Sequence, residues 1–526
     1  MENAYDYIVV GGGTAGPVVA TRLTENPENS VVILEAGKEN VKEAMNYVNG
    51  VGQMWAEDTN WGFMSTAQKG LNGRQLMQPR GKVMGGSAAI NIGSWSRGTA
   101  ANYNSWNLAD WDWNTLLKWY LKIEDSDRGA NEYRGVDGPM KLETTPEGTY
   151  MTQVFKQACI ELGLGTTEDL NAKNNEGFDV WQCIYKNGTR HNTIHNYLNG
   201  ARLRSNLSIE TEAFVSKVII EKGKAVGVEY FKDGAYHTIK ANKEVILCTG
   251  TFATPKILML SGIGPAEYLK SLNIEVHKDL PGVGENLADH LRTDIGVTAP
   301  DGVGVSLRAN PEDPKQLEEW RKTGYGPLSV LENTSASFFK SSPDVPVADL
   351  EMMFNINAPV EWGKEPPKNA GYHIDIGLVQ PQSKGTLRLA SADPKDTILI
   401  NPNYLSNEND LHIYIKGIRR ALSFFKSKAL KPFTDESTIT LSVDSTDAEI
   451  EAYIRNRAES IYHPVGTAKM GGDDDPMAVV NTKLQVRGIQ NLRIADASVI
   501  PNLISGHTMA PTVLVAERAA DFIKNA

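Results

Sequence analysis

The sequence is poor in cysteine, in long apolar runs and in excess positive charge. Its three cysteines in 526 residues, Cys159, Cys183 and Cys248, are too few and too scattered for a disulfide framework or a thiolate metal site. No motif of the H-E-x-x-H type is present either, so no metal is expected. No run of about 18 apolar residues could span a bilayer, and a net charge of −11 leaves no basic face for nucleic acid or anionic lipid. We therefore expect neither a nucleic-acid partner nor a membrane partner.

Length and composition are those of a large globular protein. The chain has 526 residues, well above the roughly 250–300 at which a single core stops growing, so two domains or one large composite are expected. Its 41% hydrophobic and 22% charged residues are ordinary for a soluble chain. The first residues, Met1 to Asp6, show neither the basic nor the apolar segment of a secretory leader. This predicts a cytoplasmic location.

A glycine-rich turn stands between the first predicted strand and the first predicted helix. Tyr5 to Val10 is β-prone, the motif G-x-G-x-x-G follows at Gly11 to Gly16, and Pro17 to Glu25 has helical spacing. The next strand, Ser30 to Glu35, ends in an acid 19 residues after the last glycine. Such a turn lets a helix N-terminus approach a pyrophosphate, and the acid can accept ribose hydroxyls. A purely structural turn is the alternative, but motif and context favour a dinucleotide site, with the small pair Ala36-Gly37 leaving room for adenosine.

A second glycine-rich stretch, Pro79 to Asn91, has glycines at 81, 85 and 86. It lacks the residue order of a P-loop. Its small residues would let the backbone approach a flat ligand, and the Asn91 amide could hydrogen bond to that ligand. A glycine turn packed on a helix would explain the same pattern, so this stretch alone leaves both interpretations open.

Several elements are predicted between these turns and residue 290. Helical spacing with many aromatic residues covers 102–124. Three strands at 207–212, 215–221 and 225–230 have the turn signals of a β-meander. The apolar strand 244–250 then leads into a helix, which implies another parallel strand of the first sheet.

From residue 291 to 455 the pattern changes to long alternating segments, such as 348–354 and 373–379, with helices such as 410–427 among them. This predicts an antiparallel sheet with one face covered by helices. Residues 491–523 again give strand, loop and helix, so the fold class is α/β (α+β) with a discontinuous Rossmann-like domain. The predicted boundaries are 1–150, 206–292 and 456–526 for the Rossmann-like domain, and 151–205 and 293–455 for a substrate-binding domain.

Two histidines stand in polar loops near the end of the chain. His463 lies in the stretch Ile461 to Met470, and His507 lies in Ser505 to Pro511, 44 positions later. Pro511 to Ile523 has helical spacing, so His507 falls just before a helix N-terminus, where backbone N–H groups favour developing negative charge. Both could be loop histidines without a role, since the chain has nine histidines. Their chemistry depends on what else the chain binds.

In these motifs the sequence resembles the glucose/methanol/choline flavin-dependent oxidoreductases over nearly its whole length. The matching stretches, in the family's order, are Gly11 to Gly16 with Glu35, Arg80 to Asn91, Gly250 to Pro265, Pro281 to Leu287, and Tyr462 to Thr467. The resemblance implies FAD rather than NAD, an FAD-binding domain under a sheet-based substrate domain, and oxidation of an alcohol.

Carried over residue by residue, the resemblance implies a set of FAD contacts. The pyrophosphate would lie at the first glycine turn, the adenosine ribose on Glu35 and the adenine near Val218. The isoalloxazine would lie against Val83 to Asn91, with Asp496 and Ala497 at the pyrophosphate and ribityl region. The implied contacts are Gly11, Gly13, Thr14, Ala15, Gly16, Glu35, Ala36, Gly37, Arg80, Val83, Gly85, Gly86, Asn91, Val218, Gly250, Asp496 and Ala497.

The resemblance also implies roles for the two histidines. His463 matches the family's catalytic histidine, and His507 matches its partner, which is histidine or asparagine in other members. His463 would take the hydroxyl proton of a primary alcohol while hydride moves to flavin N5, and His507 would hold the substrate oxygen. Tyr462 and Trp95 are expected beside the substrate. The pattern is closer to aryl-alcohol and glucose oxidases than to choline oxidase, so an oxidase of aryl or other unsaturated primary alcohols is expected.

Two stretches depart from the family pattern. Ile90 stands where members with covalent flavin carry histidine, which implies noncovalent FAD. Residues 92–96, Ile-Gly-Ser-Trp-Ser, replace a version that contains Met and Tyr, so the front wall of the flavin and its oxygen access differ. Further substrate-wall residues are expected in 325–333 and 355–362.

Several functional alternatives stay open at this point. Dioxygen could reoxidise the flavin, as in an oxidase. Another electron acceptor could do so instead, and the protein would then be a dehydrogenase of choline or another alcohol. A flavin-containing lyase of the hydroxynitrile type would keep FAD without redox turnover. A non-enzymatic, flavin-stabilised binding protein is disfavoured by the paired loop histidines. The oligomeric state is open as well.

Overall fold

The structure, a computed structural model, describes residues 4–39, 42–55, 58–145, 150–300, 309–329, 333–358 and 370–525. Two sheets dominate it, one of seven strands and one of five. In chain order their strands are β1 (Ala4–Val10), β2 (Val31–Leu34), β3 (Leu207–Glu210), β4 (Phe214–Glu221), β5 (Lys224–Lys232), β6 (Ala235–Leu247), β7 (Leu291–Thr298), β8 (Asn333–Phe339), β9 (Leu350–Asn355), β10 (Gly371–Leu378), β11 (Glu459–Ser460) and β12 (Leu492–Ile494).

Helices connect and cover these sheets. Those of eight or more residues are α1 (Gly16–Leu23), α2 (Trp113–Ile123), α3 (Tyr150–Glu161), α4 (Gly250–Leu260), α5 (Pro314–Thr323), α6 (Glu408–Phe424), α7 (Asp447–Arg457) and α8 (Met509–Lys524). Shorter helical segments include Val51–Trp55, Ser87–Ile90, Ala100–Asn104, Ile194–Leu198, Asn199–Ala201 and Ala266–Ser271. Within the described ranges, no helix has both the length and the apolar character needed to cross a bilayer.

The seven-stranded sheet runs in the order β3-β2-β1-β6-β5-β4, with β12 beside β6. β1, β2, β3, β12 and the second half of β6 pair in parallel, whereas β4, β5 and the first half of β6 form an antiparallel meander. Ile8, Val9 and Val10 of β1 are buried, as expected for a parallel sheet covered on both faces. Parallel pairing directs the carboxyl ends of β1 and β2 to one edge, where Gly11 and Glu35 follow.

Strand β3 corrects the predicted meander. Leu207 to Glu210 pairs in parallel with β2, with Leu207 opposite Val31. The pairing continues beyond the strand, because the N–H of Ala213 donates to the Glu35 carbonyl at 2.8 Å. Between them Glu212 has a φ of 56°, a left-handed conformation that turns the chain out of a simple hairpin path. The meander therefore consists of β4, β5 and β6.

The predicted helical segment 102–124 is broken into two helices. Ala100–Asn104 and α2 are separated by Asn107 and Asp110, whose φ angles are 51° and 66°. Left-handed residues of this kind end a helix. Asp112 then caps the N-terminus of α2 by accepting the N–H of Thr115 at 3.1 Å.

The five-stranded sheet is antiparallel in the order β8-β9-β10-β7-β11. This confirms the antiparallel sheet predicted after residue 291 and the α/β (α+β) class. Helix α6 covers one face, where the Tyr414 hydroxyl donates to Thr293 at 2.7 Å. β7 begins directly after His290, and β11 ends three residues before His463, so this sheet brings two distant loops together. The domain boundaries stay a prediction.

Candidate active site

A cavity of about 470 Å³ is lined by residues of both glycine-rich turns and by both loop histidines. Strands of both sheets contribute to its walls. The implied FAD contacts that line it are Gly11, Gly13, Thr14, Ala15, Glu35, Ala36, Arg80, Gly86, Asn91, Gly250, Asp496 and Ala497. His463, His507 and Tyr462 line it as well. The fold thus joins in one cavity the motifs that lie at opposite ends of the chain.

The N-terminus of α1 faces this cavity with unpaired backbone donors. Thr14 and Ala15 line the cavity, and their N–H groups make no hydrogen bond to any residue that the structure describes. Gly86 lies against this turn, since a Cβ on it would lie 2.7 Å from the Gly13 Cα atom. Free N–H groups at a helix N-terminus bind phosphate oxygens, so this end of the cavity fits a pyrophosphate.

Glu35 directly follows β2 and holds the adjoining turns. Its Oε2 atom accepts the N–H of Gly12 and its Oε1 atom accepts the N–H of Gly37, both at 2.7 Å. Burial raises the pKa of the Glu35 carboxyl to about 7, although the backbone donors act in the opposite direction. Hydroxyl donors from a ribose would favour the ionised form further, which fits the role implied for this residue.

Asp496 follows β12 and connects it to α4. Its Oδ2 atom accepts the N–H of Gly250 at 2.9 Å and the hydroxyl of Thr254 at 2.6 Å, and its Oδ1 atom accepts the N–H of Ser498 at 2.8 Å. Burial raises the pKa of this carboxyl. Asp496 therefore anchors the helix N-terminus that borders the cavity, in addition to lining the cavity itself.

Five of the implied FAD contacts do not line the cavity. Gly16 and Gly37 are needed for packing, since a Cβ would lie 1.9 Å from the Gly11 carbonyl oxygen and 2.1 Å from the Lys82 carbonyl carbon, respectively. The complete set is Gly16, Gly37, Val83, Gly85 and Val218.

Val218 and Trp95 require correction as direct contacts. The Val218 N–H donates to the Ser261 hydroxyl at 2.8 Å, and Val215 on the same strand lines the cavity instead. Trp95 has no exposed surface and donates its indole N–H to Glu124 at 2.7 Å. It stands behind the wall, because this buried hydrogen bond directs the ring into the core.

Asp289 anchors the loop of the first histidine. The backbone N–H of His463 donates to Asp289 Oδ1 at 2.8 Å, and the hydroxyls of Tyr404 and Ser460 donate to Oδ2 of the same carboxylate. Arg80 fixes the loop from the other side by donating to the Tyr462 carbonyl at 2.7 Å. The His463 ring is therefore carried by a loop with several buried anchors.

Three histidine rings meet at the end of this loop. Nδ1 of His463 lies 3.1 Å from Nδ1 of His290, and the two rings are nearly perpendicular at 87°. The His507 ring centroid lies 4.6 Å from that of His463. On its other side, Nε2 of His507 lies 3.0 Å from Oε1 of Glu351, a residue of β9 with no exposed surface. The four side chains thus lie side by side next to the cavity, with His463 and His507 in ring contact and the other two pairs within hydrogen-bonding distance.

The pKa values in this cluster favour neutral imidazoles at His463 and His290. Burial, followed by the neighbouring His507, His290 and Arg80, lowers the pKa of His463 well below its usual range. Burial and His507 lower the pKa of His290 to about 3. Both rings are therefore uncharged near neutral pH, and Nε2 of His463 has no hydrogen-bond partner among the described residues.

The wall contributed by the second sheet is polar. Arg292, Asn333, Met353, Asn355 and Asp375 line the cavity. Arg292 Nη1 lies 2.6 Å from Asp375 Oδ1, and the Asn355 amide donates to Asp375 Oδ2 at 3.1 Å. Of the predicted wall stretches, only Asn333 and Asn355 are among the lining residues, and 330–332 and 359–362 lie outside the described residues.

Four residues of the histidine cluster and the polar wall were not predicted from the sequence, namely His290, Arg292, Glu351 and Asp375. His290 lies directly before Leu291, the first residue of β7 in the five-stranded sheet. Glu351 offered a usable signal, because an acid flanked by Leu350 and Met352 in a fully buried strand needs a partner.

Comparisons with known proteins agree with the geometry. The GMC oxidoreductase family matches in two parts, its N-terminal model over residues 5–292 and its C-terminal model over residues 381–516. Mitochondrial choline dehydrogenase of Mus musculus is 37% identical over 537 residues, which cover 99% of this chain and 90% of that protein. Alcohol dehydrogenase (acceptor) of Pseudomonas putida is 36% identical over 530 residues, with 99% and 95% covered.

Solved structures extend the likeness to the whole fold. The crystal structure of pyridoxine 4-oxidase from Mesorbium loti superposes with a TM-score of 0.90 at 25% identity and covers 99% of both chains. The free donors at α1 and the carboxylate of Glu35 are also the groups that an FAD molecule requires here. This chain belongs to the GMC oxidoreductase family and is an FAD-dependent oxidoreductase of alcohol CH–OH groups.

Proposed function

We propose that the protein oxidises a primary alcohol to an aldehyde, with His463 as the base. The observation that carries this proposal is the position of the His463 ring in the cavity wall, where its Nε2 atom has no hydrogen-bond partner among the described residues. FAD, when bound, supplies the acceptor for the hydride that leaves the alcohol carbon. The residues of this chain have to remove the hydroxyl proton and orient the carbon.

His463 performs the proton transfer in this proposal. A pKa well below the usual range keeps its lone pair available at neutral pH, but it also makes the imidazole a weak base. The proton can move to His463 only while the hydride departs, since the alcohol oxygen then becomes part of a carbonyl group. Removal of proton and hydride in one concerted event suits such a base.

His507 and Glu351 hold the substrate oxygen. Glu351 accepts a proton-bearing Nε2 of His507 at 3.0 Å, which leaves Nδ1 of His507 as the nitrogen available to the substrate. The buried carboxylate fixes the orientation of the His507 ring, so that Nδ1 is the ring nitrogen that can hydrogen bond to the alcohol oxygen. The Trp181 ring, whose centroid lies 4.8 Å from that of His507, keeps the pair in place.

The polar wall favours an alcohol that carries a hydrogen-bonding group. The Arg292–Asp375 pair and the Asn355 amide offer donors and acceptors in one patch. Trp55 and Tyr462, with ring centroids 5.0 Å apart, supply an aromatic edge nearer the histidines. An aryl alcohol with polar substituents meets both surfaces, whereas a plain aliphatic chain leaves the charged pair without hydrogen-bonding partners from the ligand.

The acceptor is proposed to be a compound other than dioxygen. Support comes from the choline dehydrogenase and alcohol dehydrogenase (acceptor) relatives, which are 37% and 36% identical. The expectation of an oxidase from the sequence pattern is the second candidate. Its support is the likeness to pyridoxine 4-oxidase over 99% of the chain.

Anaerobic mixing with a set of alcohols tests the proposed reaction. The panel contains benzyl alcohol, pyridoxine, choline, glycerol and 1-octanol, and the visible flavin band is followed over time. At least one alcohol is expected to bleach the band in the unchanged protein and in His237→Gln, a control at an exposed histidine, whereas His463→Gln should lower the rate by roughly 10²–10⁴-fold. Slow recovery of colour in air indicates a dehydrogenase, and rapid recovery with peroxide indicates an oxidase. If no alcohol bleaches the flavin and mandelonitrile releases cyanide, the protein is a lyase and the proposal fails.

A further inference from the structure

Asn333 and Asn355 stand side by side in the wall that the five-stranded sheet contributes to the cavity. Asn333 begins β8, Asn355 ends β9, and the two residues are paired across these antiparallel strands. Residues paired in this way direct their side chains to the same face of a sheet, with Cβ atoms about 4.5–5.5 Å apart. Both residues line the cavity, each with 8% of its surface exposed. Their two amides therefore form one polar patch, which we call the amide pair.

The partner of Asn333 fixes the orientation of its amide. The indole N–H of Trp181 donates to Oδ1 of Asn333 at 3.2 Å. An indole nitrogen can only donate, so the amide oxygen faces Trp181 and the NH₂ group lies on the opposite side. This NH₂ group makes no hydrogen bond to any residue that the structure describes, and it is not fully buried. Asn333 therefore offers a free donor to the cavity.

Asn355 is fixed in the opposite sense. Its NH₂ group donates to Oδ2 of Asp375 at 3.1 Å and to the Met353 carbonyl at 3.4 Å. A carboxylate and a carbonyl group only accept, so the amide nitrogen faces them and Oδ1 lies on the other side. Oδ1 of Asn355 has no hydrogen-bond partner in the described part of the chain, and it is not fully buried either. The amide pair thus presents a free donor beside a free acceptor.

The charges next to the amide pair are opposite and paired. Among the described residues of this wall, Arg292 and Asp375 are the charged ones that line the cavity, and Nη1 of Arg292 lies 2.6 Å from Oδ1 of Asp375. A charged ligand group would find no unpaired counter-ion here. Trp181 also relates the amide pair to the histidines, because its ring centroid lies 4.8 Å from that of His507. The width of an indole ring therefore separates Asn333 from His507.

We propose that Asn333 and Asn355 select an alcohol with a neutral group that accepts and donates hydrogen bonds at adjacent atoms, such as a primary carboxamide, placed across an aromatic ring from the hydroxymethyl group. This specificity rests on the proposed oxidation of an alcohol at His463. The carboxamide oxygen accepts from Asn333, and its NH₂ group donates to Asn355. A ketone leaves the Asn355 oxygen unpaired, a carboxylate places its charge against that oxygen, and a quaternary ammonium group can pair with neither amide.

Binding of unreactive analogues to the FAD-loaded protein tests the amide pair without turnover. The probes are the 3- and 4-methyl isomers of benzamide, acetophenone, benzoate and phenyltrimethylammonium, with toluene as the reference, and the change in the flavin absorbance spectrum gives Kd. For one of the two isomer positions, the benzamide should bind roughly 10-fold more tightly than the ketone and than either charged probe. The proposal is overturned if the benzamide binds no more tightly than toluene, or if the ketone or a charged probe equals it at both positions.

Two variants assign the preference to the individual amides. Asn333→Asp keeps an oxygen for the Trp181 indole but loses the donor, so the benzamide and the ketone should both bind roughly 10-fold more weakly. Asn355→Ala removes the acceptor, so the benzamide should bind no more tightly than the ketone. An undiminished preference for the benzamide in Asn355→Ala would overturn the proposal. The comparison of probes in the unchanged protein decides alone if a variant does not retain FAD.

A control variant and a reactive pair of alcohols complete the test. Asn456→Ala, at an exposed hydrogen bond with Asn72, should keep the preference of the unchanged protein. The hydroxymethylbenzamide isomer that matches the tighter probe should reduce the flavin with a lower KM than benzyl alcohol. If the benzamide probe binds as expected but neither alcohol reduces the flavin, the proposed function fails and the amide pair stands. If both alcohols reduce the flavin with equal KM, the amide pair is overturned and the proposed function stands.

Discussion

His507 and Glu351 are 156 residues apart in sequence, yet Nε2 of His507 lies 3.0 Å from Oε1 of Glu351 in the core. One comes from the loop before α8 and the other is the second residue of β9. His507 lies in the loop that follows β12 of the seven-stranded sheet, whereas Glu351 belongs to the five-stranded sheet. The site therefore depends on the two sheets keeping their relative positions.

Glu351→Gln should slow flavin reduction by roughly 10–100-fold. The amide can still accept the His507 N–H, but this hydrogen bond is weaker than the one to a carboxylate, so the ring is held less firmly. The measurement is the anaerobic reduction rate with the best alcohol of the panel. Glu318→Gln, at a surface pair with Lys322, is the matched control and should match the unchanged protein. An unaltered rate in Glu351→Gln would show that the carboxylate charge has no part in the reaction.

Arg292→Lys should raise KM with little effect on the limiting rate of flavin reduction. Lysine keeps the charge but loses the planar fork that holds Asp375 at 2.6 Å, so the polar wall changes while the histidines do not. We expect a rise in KM of about 10-fold. Arg419→Lys on the surface, where the side chain pairs with Asp447, serves as the control. A loss confined to the limiting rate would place Arg292 in the chemistry and not in substrate binding.

Glu35→Gln should weaken FAD binding. The change removes the charge that ribose hydroxyls favour, and it places an NH₂ group against the N–H of Gly12 or Gly37, both of which donate to Glu35 at 2.7 Å. The flavin-to-protein absorbance ratio after gel filtration measures the loss. Glu210→Gln, at a half-buried pair with Lys232, is the control. Retention of the full flavin content by Glu35→Gln would contradict the role assigned to this carboxylate.

Noncovalent FAD is expected because Ile90 offers no nucleophile to the flavin. Ile90 lines the cavity with only 2% of its surface exposed. Acid precipitation should therefore release the yellow colour completely into the supernatant. Colour that stays with the precipitated protein would reveal a bond to another side chain, and peptide mapping would locate that side chain.

His290 should make the stability of the protein sensitive to acid. Its pKa is about 3 when folded and about 6.5 when unfolded, so below pH 6.5 the unfolded chain binds the additional proton. Stability attributable to this residue is complete above pH 6.5 and decreases as the pH falls toward 3, by about 1.4 kcal/mol per pH unit. The carboxyls of Glu35, Asp289 and Asp496 have raised pKa values, so their contributions to the free energy of unfolding increase as the pH falls. The contribution of His290 is therefore measured as the difference in the free energy of unfolding between the unchanged protein and His290→Asn. The stability gap between the unchanged protein and His290→Asn should narrow from pH 7 to pH 5, and a constant gap would contradict the prediction.

Local sequence patterns were sufficient for the parts of the site made by short segments. The turn from Gly11 to Gly16, the acid at Glu35 and the loop histidines each lie at the end of a recognisable strand or before a helix. Trp95 could not be placed in this way, because only the partner Glu124 shows that the indole is directed inward. Val218 came only from the family resemblance, and in the structure Val215 on the same strand lines the cavity in its place.

The residues that the sequence did not reveal are those paired across long separations. Glu351 has its partner 156 residues away, and His290 lies 173 residues from His463. Such pairs depend on the arrangement of the second sheet, which propensity and periodicity do not specify.

The pairing of β12 with β6 also determines at which point of its synthesis the protein can form the cofactor site. Leu492 to Ile494 pairs with Val245 to Leu247, and Asp496 then holds the N-terminus of α4. A nascent chain that ends before residue 492 lacks this strand, the Asp496 anchor and His507. The cofactor site therefore cannot form before residues 492 to 507 have been synthesised, and FAD is a ligand that stabilises the chain once they are present.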